Sequence, residues 1–401
     1  MPDTGTQPSR AQAVTVLHML PDFAESGGQV LLLRNLRHMS RQRWRHIVCG
    51  LRGGKLIPRF EEAGFETLVL DIKSPGDWPH GIRRLAAFMR QRGVRVVHTN
   101  NTPGDRLMGQ FAAMAARLPV VNSFHAQASP PRWPETGLRG LPRYLVRQVT
   151  YLANRLLIRT NIRRMVAVSN YVRDSYTDAL WLSPDRMTVI HPGLEASWFQ
   201  LPYNDESRQA LRRSLGLGDA GPLLISVGRL ESGKGQQYWL PVMADIRRDW
   251  PNACLLLVGE GPDRAAIEAA IERLGLGNGV KLLGQRSDVP ALLDLADVYV
   301  SASLSEGFGL AVLEAMAVGR PAVVHYLPAQ AEFIQDGVTG FMVRSLNSDA
   351  FGAALRRLLT EPGLMRKMGD AAKEAAKTFT AERSAEGLEA IYEDILKRRG
   401  R

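Results

Sequence analysis

The chain has 401 residues, 45% of them hydrophobic and 23% charged, the balance of a globular protein, which excludes a disordered, collagen-like or low-complexity chain. The length allows two domains of about 150–200 residues each, and no apolar run approaches the roughly 18 residues of a spanning helix. The net charge of +11 asks for an acidic partner, but charge alone does not choose among nucleotide, nucleic acid and membrane.

Met1 to Ala13 are rich in Pro, Thr and Gln without an apolar core, which predicts a loose tail, no secretory signal and a cytoplasmic protein. From Val14 the first half alternates short apolar runs with amphipathic segments, the pattern of a doubly wound parallel sheet. Strands are expected at Val14–Leu20, His46–Cys49, Thr67–Leu70, Val94–His98, Val120–Phe124, Met165–Ser169 and Met187–Ile190. Helices are expected from about Gln29 to Met39, Ile82 to Arg92 and Asp105 to Arg117. Gly27 and Gly28 place small residues at a helix start, which serves either a plain turn or one side of a phosphate site. Cys49 and Cys254 fall in separate strand-like runs and read as buried thiols. Between Arg132 and Arg164 stand Arg132, Arg139, Arg143, Arg147, Arg155, Arg159, Arg163 and Arg164 against Glu135 alone. Interleaved with Leu141, Leu145, Val149, Leu152, Leu156 and Ile158, they suit either a packed helix with solvated arginines or a surface that meets anionic lipid or a lipid-linked acceptor.

Polar residues 193–219 read as an inter-domain linker, with the limits 1–195 for a first domain, 196–221 for the linker and 222–378 for a second domain. The segment 379–401 is expected to be a helix that returns to the first domain. In the second half, strands are expected at Leu223–Val227, Cys254–Val258, Val280–Leu283, Val298–Ser301, Ala322–His325 and Gly340–Val343, with helices at about Gln236–Asp249, Asp263–Leu274, Val289–Leu295 and Leu310–Val318. Helices Ala350–Thr360 and Ala381–Lys397 close the pattern. Two sheets of like construction imply a cleft between them.

Two motifs carry chemistry. Val227-Gly-Arg-Leu-Glu-Ser-Gly-Lys-Gly235 sits at the carboxyl end of a strand, where open α/β sheets gather ligands, and Arg229 and Lys234 there suit a diphosphate. Ser301 to Pro321 reads as strand, glycine-rich turn and helix. Gly307 and Gly309 allow close backbone approach, and the free N–H groups at Leu310 and Ala311 offer a phosphate site. Glu306 and Glu314 flank it as acceptors for hydroxyl-rich groups.

This Glu-x7-Glu run, with the Gly228–Gly235 loop before it, resembles the signature of retaining glycosyltransferases of family 4 with the GT-B fold. The resemblance covers nearly the whole chain and implies two doubly wound Rossmann-like domains facing a central cleft. By that resemblance Arg229 and Lys234 take the charge of a departing diphosphate. Glu306 and the Gly307-Phe308-Gly309 backbone hold the sugar, and Glu314 holds the ribose. Gln285 and Arg286 lie near the base, Gly27, Gly28 and Gly228 near phosphate, and His125 is the active-site histidine with His98 as its rival. The donor would be a nucleoside-diphosphate sugar and the acceptor a carbohydrate or lipid-linked hydroxyl. No cofactor or nucleic acid is expected, and, since no Asp-x-Asp triplet occurs, no bridging metal. The two departures are His325-Tyr-Leu-Pro-Ala-Gln-Ala-Glu332, in place of a Gly-Gly-x-x-Glu run, and His191-Pro-Gly193, read as a benign turn. The same architecture serves epimerases and phosphorylases, and a non-catalytic nucleotide-sugar-binding subunit is the remaining alternative.

Overall fold

In the computed structural model, strands β1 (Val14–Leu20), β2 (Trp44–Gly50), β3 (Glu66–Val69), β4 (Val94–Asn100), β5 (Val120–Phe124), β6 (Ile162–Ala167) and β7 (Met187–Val189) form one parallel sheet, ordered β3-β2-β1-β4-β5-β6-β7. The described residues are 13–100, 102–128, 148–149, 152, 156, 158, 162–201, 203–218 and 221–399. A second parallel sheet holds β8 (Leu223–Val227), β9 (Cys254–Val258), β10 (Val280–Gly284), β11 (Val298–Ser301), β12 (Ala322–His325) and β13 (Gly340–Val343), in the order β10-β9-β8-β11-β12-β13. The central strands are near-continuous apolar runs, as strands covered on both faces require. Each sheet has the Rossmann order, in which the winding reverses at one point, between β1 and β4 in the first and between β8 and β11 in the second. Ligands collect at the carboxyl ends of the strands at such reversals.

The chain divides into two compact units, 1–168 with 172–190 and 382–401, and 169–171 with 191–381. Residues 196–221, expected as a linker, belong to the second unit and carry the helix Asp205–Ser214. Only Ala210 and Leu211 in that helix are apolar, so no stripe announces it. It is fixed instead by the Asn204 cap, whose side chain accepts from Ser207 N–H, and by Arg208, whose Nε and Nη2 meet Asp294 at 2.7 and 2.8 Å. A helix Leu364–Ala376 also went unanticipated; its buried residues Met368, Gly369, Ala372 and Ala376 are mostly small and give a faint apolar signal.

The core of the second unit gathers Trp239, Phe351 and the strand aliphatics. That of the first includes Trp44, Phe60 and, from the helix Ala381–Arg399, Leu388, Ile391, Tyr392 and Ile395. Inside it lies a polar group spread over adjacent strands. His18 Nε2 is 3.0 Å from His46 Nδ1, and His98 sits between Tyr392 Oη at 2.6 Å and Ser123 Oγ at 2.7 Å. Desolvation is the main cause holding all three imidazoles neutral, with His46 lowered to about 4, His98 to about 3 and His18 well below its ordinary value. Cys49 and Cys254 are free and buried, and burial raises both thiols. Among the described residues no helix is long and apolar enough to cross a membrane, and no cluster of acidic, His or Cys side chains could hold a metal ion.

Candidate functional site

At the reversal of the second sheet, β8 runs into the loop Gly228–Gly235 and β11 into the turn Ala302–Gly309. Their close approach depends on glycine. Gly235 has φ +70°, and a Cβ there would collide with the Ala302 carbonyl, so a side chain would force the loop off β11. The contact is sealed where Leu304 N–H donates to Gly233 O at 2.9 Å. The result is that Lys234 Nζ lies 2.8 Å from Glu306 Oε1, with the side chains 29% and 20% exposed. Two residues assigned separate duties in the sequence therefore form one ion pair.

Three residues whose roles the sequence reading missed lie around this pair. Ser303 is buried, and its Oγ donates to the same Glu306 Oε1 at 2.7 Å. His325 Nδ1 lies 2.9 Å from Ser303 O, so that nitrogen carries the proton. Tyr299, on β11, donates from its hydroxyl to Val227 O at 3.4 Å. Burial, then the fields of Glu306 and Glu314, raise the Tyr299 phenol, which stays neutral. The His325 and Tyr299 contacts join neighbouring strands or loops and leave no local motif, whereas Ser303 meets Glu306 within one turn.

Gly309 takes φ +108° as the N-cap of the helix Leu310–Ala317. Val312 and Leu313 N–H donate to Gly309 O, which leaves the first N–H groups, at Leu310 and Ala311, without an intrahelical acceptor. Glu314 is half-buried one turn further. Gly307 is buried, and its carbonyl accepts from Ser169 Oγ at 2.6 Å. Phe308 as a whole, backbone included, is 3% exposed. It stacks among His191, Phe333 and Phe379, with ring centroids 5.4, 4.7 and 5.6 Å away.

Arg229 is exposed and pairs loosely with Glu231 at 3.4 Å. Gly228 N–H donates to Val258 O at 2.9 Å, and a Cβ on Gly228 would meet nothing within 4 Å. Gln285 is exposed. Arg286 is gripped by Asp288 through two hydrogen bonds of 2.8 and 2.6 Å, so its guanidinium has a fixed plane.

The two departures meet, His191 of one lying 2.8 Å from Glu332 of the other. Burial works to raise the Glu332 carboxyl, but hydrogen bonds from His191, from the Asn170 and Tyr171 amides and from the Asn170 side chain together hold it below the usual carboxylate range. Its oxygens meet those four donors at 2.8 to 3.0 Å. His191-Pro-Gly193 is thus no benign turn variant. His191 anchors Glu332, and a Cβ on Gly193 would collide with the Thr380 backbone.

In the first unit, Gly27 and Gly28 open the helix Gly27–His38, and a Cβ on Gly27 would meet nothing within 4 Å. His125 follows β5, partly exposed, with Nε2 3.5 Å from Asn100 Oδ1. Desolvation lowers it to about 4, so it is neutral at pH 7. The rival His98 has both ring nitrogens committed and serves the core. Of the basic segment, Arg132, Arg139, Arg143, Arg147, Arg155 and Arg159, with Leu141 and Leu145, lie outside the described residues. Arg163 is exposed, Arg164 pairs with Asp394 at 2.6 Å, and Ile158 is buried.

Residues 26–198 match a family model described as Glycosyltransferase Family 4, and residues 207–375 one described as Glycosyl transferases group 1. The chain is similar to the alpha-D-kanosaminyltransferase of Streptomyces kanamyceticus, at 26% identity over 80% of this chain and 83% of that protein. It is also similar to the D-inositol 3-phosphate glycosyltransferase of Segniliparus rotundus, at 31% identity over 58% of this chain and 53%, about half, of that relative's length. The crystal structure of Anabaena HepE in complex with UDP-glucose superposes with a TM-score of 0.82 at 20% identity, covering 95% of this chain and 99% of that one.

Proposed function

We propose for this chain, which belongs to the family 4 glycosyltransferases of the GT-B fold, the transfer of a hexosyl-type sugar from a nucleoside diphosphate to a hydroxyl acceptor with retention of configuration. The observation that carries the reading is the Lys234–Glu306 pair, 2.8 Å across, at the sheet reversal beside the open helix start of Leu310. Lys234, Arg229 and the Leu310 and Ala311 N–H groups supply positive charge where a diphosphate departs, a metal-independent way of stabilising the leaving group. Glu306 holds sugar hydroxyls, Glu314 the ribose, and Gln285 and Arg286 the base. With Oε1 taken by Lys234 and Ser303, Glu306 is a poor nucleophile, which favours transfer on the face of departure over a covalent intermediate. His125, Gly27 and Gly28 keep the roles given by the resemblance, a neutral imidazole by the reacting sugar and an open helix start for phosphate.

A panel of nucleoside-diphosphate sugars, with chelator present, tests the reading. A true donor at 100 times its Kd stabilises by about 2.7 kcal/mol, and the anomeric proton of the product reports retention. Glu314→Ala should weaken the free nucleoside diphosphate, whereas Glu306→Ala should spare it and damage handling of the sugar. Unchanged diphosphate binding in Glu314→Ala removes the ribose assignment. A chain that binds donor but neither hydrolyses nor transfers it is the non-catalytic subunit.

For the acceptor, we assign a seat at an anionic membrane surface. The reading is supported by Val149, Leu152 and Leu156, which are helical, spaced to share one face and 67%, 56% and 64% exposed, in a segment dense in arginine. Each cation near anionic lipid contributes about 1 kcal/mol. The protein should sediment with phosphatidylglycerol vesicles, be released by salt and ignore neutral vesicles. Changing Arg139, Arg143, Arg147 and Arg155 to Gln should abolish sedimentation and spare donor binding. Equal partition of parent and variant points to a soluble acceptor.

A further inference from the structure

Gln330 begins the short turn Gln330–Glu332 after β12 and is 1% exposed. Its backbone is committed: the N–H donates to Leu327 O at 2.9 Å, and its carbonyl accepts from Phe333 and Ile334 N–H at 3.1 and 2.9 Å. Its side chain is not. Neither Oε1 nor Nε2 has a hydrogen-bond partner among the described residues. A buried amide in that state destabilises the chain, and an apolar side chain of the same shape would not.

Where the amide lies gives the reason. A Cβ built on Gly309 would fall 3.0 Å from Gln330 Nε2 and 3.3 Å from its Cγ, so the carboxamide fills the space a side chain at 309 would need. It lies against the N-cap of the helix Leu310–Ala317, the turn where the reading above seats the transferred sugar. Two residues on, Glu332 is tied by four hydrogen bonds, so the turn carrying Gln330 is anchored. An amide presents one donor and one acceptor side by side. A phosphate would use only the donor, whereas adjacent sugar hydroxyls match both.

We propose that Gln330 is a specificity-determining residue for the donor, its Nε2 donating to one hydroxyl of the transferred pyranose and its Oε1 accepting from a neighbouring one. The inference rests on the glycosyltransferase reading and deepens it. Because both atoms are covered in the free chain, the Gly307–Gly309 turn shifts as the sugar enters, a movement that glycine permits.

The test compares the parent with Gln330→Met, near-isosteric and apolar, and with Gln330→Asn, which keeps both polar groups on a shorter stem. Three readouts are taken on the full chain: the Tm without ligand, the Kd of the free nucleoside diphosphate, and the Kd values of sugars epimeric at single hydroxyls on that same diphosphate. Gln330→Met should raise the ligand-free Tm by about 2–4 °C and leave diphosphate binding within about twofold. It should weaken the preferred sugar donor at least about tenfold and flatten the preference among epimers. Gln330→Asn should retain part of that preference. A lower Tm with epimer discrimination intact makes the amide structural and overturns the proposal, as does equal weakening of diphosphate and sugar donor. If Gln330→Met does not fold, Gln330→Asn decides alone, and parent-like discrimination in it overturns the proposal. A parent that binds no nucleotide sugar at all refutes the transferase reading instead, a result distinct from any variant's.

Discussion

Replacing Lys234 with alanine should lower turnover by about 100- to 1,000-fold, the scale of losing one preorganised charge beside a developing anion. The ammonium is held in place by Glu306 at 2.8 Å, so on the proposed reading it would need no reorganisation as a diphosphate departs. Its removal would also leave Glu306 Oε1 with the Ser303 hydroxyl alone, and the proposed sugar contact should loosen with it. Arg229→Ala is the cleaner companion. Arg229 is 66% exposed and 3.4 Å from Glu231, and an exposed pair of that kind contributes about 0–1 kcal/mol to stability. A loss of about 100-fold in Arg229→Ala therefore reports chemistry and not folding. Donor Kd is expected to change less than kcat in both. Turnover near the parent's in either variant, measured at saturating donor, removes that residue from leaving-group stabilisation.

The second large effect is acid. His18, His46, His98 and His125 all have pKa values lowered mainly by burial, and all belong to the first unit. A histidine depressed on folding contributes stability in full above its unfolded value of about 6.5, and that contribution is lost as pH falls towards its folded value. Within that window each unshared histidine removes about 1.4 kcal/mol per pH unit. Asp105 opposes them. Burial raises its carboxyl to about 7, so it restores a similar increment as pH falls from there to the ordinary carboxylate range. The four histidines outnumber Asp105, so the first unit loses stability as pH falls below about 6.5. Glu332, in the second unit, is held below its usual range and matters only in stronger acid. Amide hydrogen exchange at falling pH should show β1, β4 and β5 losing protection near pH 5 while β8, β9 and β11 keep theirs. Parallel loss in both units, or a first unit unchanged down to about pH 4.5, refutes this account of the histidines.

Much of the fold was open to reading because buried parallel strands are written as runs of Val, Leu and Ile, and seven of the strands, among them Val120–Phe124 and Cys254–Val258, keep the limits that pattern implies. The helix Asp205–Ser214 was hidden because a cap and a bidentate Arg208–Asp294 pair build it where no apolar stripe exists. The site divides in the same way. Glu306, Glu314, Arg229 and Lys234 announce themselves through glycine-rich turns at strand ends. His325, Tyr299 and Gln330 do not, since each acts across neighbouring strands or turns that only the sheet order brings together, and Ser303, three residues from Glu306, is one of several serines in its turn. His191-Pro-Gly193 was misjudged for that reason, its partners Glu332 and Thr380 being far away in sequence.

The assignment of residues 382–401 to the first unit bears on synthesis. That unit is begun first and finished last, because residues 191–381 of the second are translated before its closing segment. Until the ribosome has passed position 392, Trp44 lacks the ring 5.5 Å away and His98 lacks the hydroxyl at 2.6 Å, so an apolar sheet face with a polar centre stands open on the nascent chain. The second unit, continuous from 191 to 381 apart from three residues made earlier, is complete in sequence before that. The order of emergence and the order of completion are reversed, and a nascent-chain chaperone would find its longest-lived target in the half that left the exit tunnel first.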